Sequence, residues 1–131
     1  MALTTVYLSS CSARRTELRQ VAAELEVAGW QVVSSWLWIE AIDPDDTRAA
    51  AGAAERNIAD LRRATTFVAF TGGPDGHRSG RGGRQAEFGM ALGLGLRTIV
   101  VGEPEHVFHH SAQVTRLPDW PAAREALFAA G

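Results

Sequence analysis

Apolar positions along the chain fall into two alternating kinds of run. Short β-branched and aromatic runs read as strands: TTVYL at 4–8, QVVSSWLW at 31–38, TTFVAF at 65–70 and RTIVV at 97–101. Longer alanine- and leucine-rich stretches lie between them, with apolar residues at helical spacing. The first, 14–28, sets Leu18, Val21, Ala22, Leu25 and Ala28 on one stripe and stops at Gly29. The second, 47–64, carries Ile58 and Leu61 on its stripe, and Gly52 weakens it by about 1 kcal/mol relative to alanine. A third, 84–94, follows the glycine-rich loop TGGPDGHRSGRGG at 71–83. An edge strand at 113–117 and a helix at 121–130, with Pro121 in its first turn, complete the pattern, while 103–112 has no clear period.

The order is βαβαβαβ, then a small fifth strand and a last helix. Each of the first three connections is long enough for a parallel crossover. An α/β fold follows, a three-layer sandwich with helices on both faces of a parallel sheet. Such sheets bind ligands at the carboxyl ends of their strands, and the loops at 9–12, 40–47, 71–83 and 102–111 all fall there. With 131 residues and neither repeat nor linker, residues 1–131 are expected to form one domain.

Composition limits the partners more than the fold. A chain with 46% hydrophobic and 21% charged residues folds, and a net charge of -2 attracts neither a nucleic-acid polymer nor a membrane surface. No apolar run approaches the ~20 residues of a membrane helix, and the start, MALTTVYLSSCS, lacks the layout of a signal peptide. Cys11 is the sole cysteine, so no internal disulfide can form, and a cytoplasmic protein is expected.

Candidate chemistry centres on Glu87, at the head of the helix that follows the glycine loop. A carboxylate in a first helical turn is held ionised by the unpaired amides there, as suits a nucleophile or a stabiliser of positive charge. The same position also suits a plain capping residue. Around it, Gly73 and Gly83 would let backbone approach a ligand, and Arg78, Arg81 and Arg84 could grip a phosphate or carboxylate. Neither a P-loop nor a dinucleotide fingerprint is present. After the first strand, the hydroxyls of Ser9, Ser10 and Ser12 could receive an anion or a sugar, although Ser12 could equally cap the first helix. Asn57 and Asp60 share a helical face that could orient a substrate hydroxyl or simply meet solvent. Trp36 and Trp38, at period two on the second strand, could wall a heterocycle or pack under a helix. His106, His109 and His110 lack the companions of a zinc site, so no metal is expected.

The combination of VYL at 6–8, NIADL at 57–61, the glycine-rich loop and GGRQAEFGMALGLGLRTIVV at 82–101 resembles the nucleoside 2-deoxyribosyltransferase superfamily and its nucleotide N-glycosidase relatives. The resemblance runs to about Gly102 and continues more loosely through EPEHVF. It implies a flavodoxin-like five-stranded parallel sheet of order 2-1-3-4-5, a homodimer or larger homo-oligomer, and no cofactor. It also implies a small-molecule nucleoside or nucleotide as substrate, Glu87 as the nucleophile on the anomeric carbon, Tyr7 as the residue that orients it, and Asp60 on the sugar hydroxyls. The family's further aspartate, which protonates the base, has its nearest counterpart in Asp75. The arginines of the loop shift the expected substrate toward a nucleoside monophosphate, with water or another base as acceptor. A non-catalytic nucleotide-binding module on the same fold is the alternative.

Overall fold

The computed structural model describes residues 4–43, 45–72 and 82–129. Five parallel strands form one sheet: β1 (Thr5–Ser9), β2 (Gln31–Val32), β3 (Thr66–Phe70), β4 (Arg97–Val101) and β5 (Val114–Leu117). Their order, β2-β1-β3-β4-β5, is the expected one. Helices α2 (Thr47–Arg63) and α3 (Gly83–Gly93) pack together on one face, and α1 (Arg15–Val27) and α4 (Trp120–Ala129) cover the other. No described helix is long and apolar enough to cross a membrane.

The central strands are buried on both faces, as a parallel sheet between two helical layers requires. Val6, Tyr7, Leu8, Phe67, Val68 and Ile99 are sealed from solvent. Each such side chain contributes about 1.5–3 kcal/mol of apolar burial. The Tyr7 ring stacks on Phe67 with centroids 5.7 Å apart, and Phe67 meets the edge of Phe88 from α3. On the opposite face, α1 buries the stripe Leu18, Val21, Ala22 and Leu25. Glu24 ties α1 to α4 by accepting from Trp120 Nε1 and the Arg124 guanidinium. At the carboxyl edge, Gly102 has φ +111°, and a Cβ there would lie 2.4 Å from Thr71 Oγ1. The left-handed φ, with the Thr71 hydroxyl held on Val101 O at 3.3 Å, favours glycine at this position.

The predicted second strand, 31–38, is a strand only over Gln31–Val32, and Ser35–Trp38 is a 3-10 helix. Serine side chains cause the break. Leu8 N donates to Ser34 Oγ (3.1 Å), so a side chain replaces the next backbone acceptor of the β1–β2 ladder. Ser35 N and Oγ then both donate to Asp60 Oδ2, at 3.1 and 2.5 Å, and draw the chain toward α2. Short hydroxyl side chains compete with sheet pairing in this way.

Candidate active site

Helix α3 begins at Gly83, with Gly82 as its N-cap at φ +91°. Glu87 is therefore its fifth residue, in the second turn, and the first turn itself holds no acidic residue. Its carboxylate turns to β1 instead. Tyr7 Oη donates to Glu87 Oε2, and Ser9 Oγ donates to Oε1 at 2.8 Å. Tyr7 and Ser9 are two residues apart on a strand, so both point to the face that α3 covers.

That placement corrects the expectation of a carboxylate held ionised by a helix start. Burial pushes the Glu87 pKa up, and the hydrogen bonds from Tyr7 and Ser9 oppose the rise without cancelling it. For Tyr7, burial first, then the charge and hydrogen bond of Glu87, raise the phenol far above its ordinary range. Tyr7 is thus a permanent donor in this pair.

Glu87 opens on a crevice made of two cavities, of about 550 and about 440 Å³, that share Ser10, Ser12, Gly83 and Arg84. The larger lies between the turn 10–13, the start of α3, and Glu105 with His106. The smaller lies between Trp36, the segment 39–42, Arg56 and Asn57 of α2, and Glu87 with Met90. Among the described residues, Ser10 Oγ, Arg56 Nε, Asn57 Oδ1 and His106 Nδ1 are buried without a hydrogen-bond partner, and all four residues line the crevice. Each unpaired group costs about 1–3 kcal/mol, a cost that a polar ligand offering the missing partners removes.

Several expected residues meet here in ways the sequence did not specify. Ser12 starts a 3-10 turn and is exposed to both cavities, and the N-cap position of α1 falls to Arg14 instead. Asn57 reaches the smaller cavity, whereas Asp60 sits behind it, buried on Ser35 and flanked by Arg63 at 3.5 Å. Asp60 therefore positions the 3-10 helix that carries Trp36 and lines neither of these two cavities. Trp36 is buried in that wall, its Nε1 donating to Leu8 O at 2.8 Å, whereas Trp38 is 56% exposed beside Arg19 and lines neither cavity. The two tryptophans diverge because they lie on a 3-10 helix, not a strand. Gly73, Asp75, Arg78 and Arg81 lie outside the described residues.

Arg84 is no free cation. Its guanidinium makes a two-pronged pair with Glu105, which also accepts from Gly72 N at 3.2 Å and Gln85 Nε2 at 3.2 Å. Burial alone would raise the Glu105 carboxyl, but these donors and the Arg84 charge hold it at about 2. Glu105 thus binds the start of α3 to the end of β3 from the loop after β4. Its segment has no periodicity, and only the looser resemblance through EPEHVF touches it in the sequence. His109 packs beside it, its Nδ1 accepting from Glu105 N at 3.0 Å, and burial followed by neighbouring His106 lowers its pKa to about 4. His106 is fixed through Nε2 against Gln85 Oε1 at 2.7 Å.

No protein-family model matches the chain, and no curated protein matches it. Among solved structures, the chain is similar to the CMP N-glycosidase BcmB of Clostridium botulinum, with a TM-score of 0.65 and 18% identity over 96% of this chain and 99% of that one. What the likeness establishes is architectural: this chain shares its fold with a nucleotide N-glycosidase across nearly its full length.

Proposed function

We propose that the protein cleaves the N-glycosidic bond of a nucleoside monophosphate, with Glu87 as nucleophile and water as final acceptor. The observation that carries this is the buried Glu87 carboxylate, fixed by the Tyr7 and Ser9 hydroxyls where the crevice meets the strand ends. The resemblance in sequence and the fold shared with a CMP N-glycosidase add to it.

In the first step a Glu87 oxygen forms a bond to the anomeric carbon as the carbon–nitrogen bond breaks, its electron pair leaving with the base. Positive charge builds on the sugar in the transition state, and a carboxylate in a low-dielectric wall stabilises it strongly. Tyr7 and Ser9 hold both carboxylate oxygens, so the nucleophile needs no reorganisation. Water then cleaves the glycosyl ester, with net retention. The turn 10–13 and the start of α3, whose N-cap Gly82 has no side chain to cap it, line the larger cavity and suit the phosphate.

Incubation with ribo- and deoxyribonucleoside monophosphates and with the matching nucleosides, followed by chromatography of the free base, tests the reading. Release of base that disappears in Glu87→Gln is expected. An added acceptor base separates hydrolysis from transfer. Ligand-dependent stabilisation with no base released from any substrate would instead establish a nucleotide-binding module and defeat the enzymatic reading.

A further inference from the structure

The smaller cavity is cationic in an uneven way. Of the arginines that line it, Arg84 is neutralised by Glu105, and Arg15 donates to Trp36 O and lies over the Trp36 ring. Arg56 has no partner among the described residues: its Nε is buried without an acceptor, and no described carboxylate pairs with it. Beside it, Asn57 Oδ1 is buried without a donor. The other charged groups on this wall are Glu40, which is exposed, and Glu87, already held by Tyr7 and Ser9. The charge of Arg56 is felt at Tyr7, so it lies within electrostatic reach of the reacting centre.

A departing base carries away the electron pair of the glycosidic bond. In this cavity no described carboxylic acid other than exposed Glu40 stands ready to protonate it, and an amide such as Asn57 cannot. A guanidinium that no described carboxylate neutralises can stabilise that pair without transferring a proton.

We infer that Arg56 receives the departing base: its guanidinium donates to a ring acceptor of the base, Asn57 Oδ1 takes an adjacent ring or amino N–H, and the base leaves as a guanidinium-stabilised anion. The bond from the anomeric carbon to Glu87 forms as the bond to nitrogen breaks, and the freed base takes its proton from water afterwards. The inference rests on the nucleotide-cleaving reading above and adds a leaving-group residue and a base subsite to it.

The test compares wild type, Arg56→Met and Arg56→Lys on 5-fluoro, unsubstituted and 5-methyl pyrimidine nucleotides, whose bases decrease in acidity in that order. Single-turnover base release should fall at least tenfold in Arg56→Met for the 5-methyl substrate and clearly less for the 5-fluoro one, with Arg56→Lys recovering most of the loss. Equal losses across the series would overturn the leaving-group role. Calorimetric binding of the same nucleotides, and of ribose 5-phosphate, is measured in the Glu87→Gln background. Arg56→Met should weaken the nucleotides about tenfold and leave ribose 5-phosphate unchanged; unchanged nucleotide affinity would overturn the base subsite. If wild type releases no base, the cleavage reading and with it the leaving-group role fail, while the binding comparison still decides whether Arg56 meets the base.

Discussion

Tyr7→Phe isolates one hydroxyl. The ring is sealed from solvent and stacked on Phe67, and phenylalanine keeps that stack, so the variant removes the donor to Glu87 Oε2 and little else. A hydrogen bond to a charged group contributes about 1.5–3 kcal/mol, and losing that much orientation and charge stabilisation slows base release by roughly 10- to 150-fold. The variant also has a pH signature. Burial raises the Glu87 pKa and the Tyr7 bond opposes the rise, so removing that bond raises it further. Because the proposed nucleophile must be ionised, the acid limb of the rate profile should move to higher pH, and the deficit should shrink as pH rises. The assay is base release over a pH series, with a melting curve beside it to show that the sheet is intact. A rate within threefold of wild type and an unmoved acid limb would refute the idea that Tyr7 prepares the nucleophile.

Glu87→Gln should stabilise the fold while abolishing the proposed turnover: a carboxyl with a raised pKa contributes stability that is complete below its ordinary value and lost as pH rises through the folded pKa. The Glu87→Gln variant should therefore melt above wild type at neutral pH and converge with it in acid; a gap independent of pH would contradict the assignment. Glu105→Gln breaks a pair whose side chains are 12% and 11% exposed, at a cost of about 3 kcal/mol. Since Glu105 is held at about 2, its contribution is complete above the ordinary value of 4.5 and lost as pH falls toward 2, so denaturant titrations should show the gap closing across that window. Trp38→Ala should leave nucleotide affinity unchanged, whereas Trp36→Phe, which strands Leu8 O, should cost about 1–2 kcal/mol of stability and weaken binding by calorimetry.

The layers were legible because burial writes periodicity into sequence. Leu18, Val21, Ala22 and Leu25 form a stripe that only a helix explains, and TTFVAF is too apolar for an exposed strand. The second strand misled because apolar alternation in QVVSSWLW reports facing, whereas Ser34 and Ser35 ended the ladder through bonds to Leu8 and Asp60, partners that sequence spacing does not reveal. Asp60 and Asn57 likewise occupy one helical face, yet a one-turn difference puts the first under Ser35 and the second on the crevice. Arg84 carried a visible charge, and its neutralisation by Glu105 depended on a loop without pattern.

The pair Tyr7 and Glu87 is separated by 80 residues, and Ser9 and Glu87 by 78. Closing such distances costs chain entropy, so these contacts need the packing of β1, β3 and α3 to hold them. During synthesis β1 emerges first and must wait for β3 and α3 before its hydroxyls have anything to hold. A fragment that stops short of α3 cannot contain a rudimentary version of the site. Recovery of the proposed base release after dilution from denaturant would consequently time the docking of α3 on the β1–β3 pair, making the site a clock for that one step of assembly.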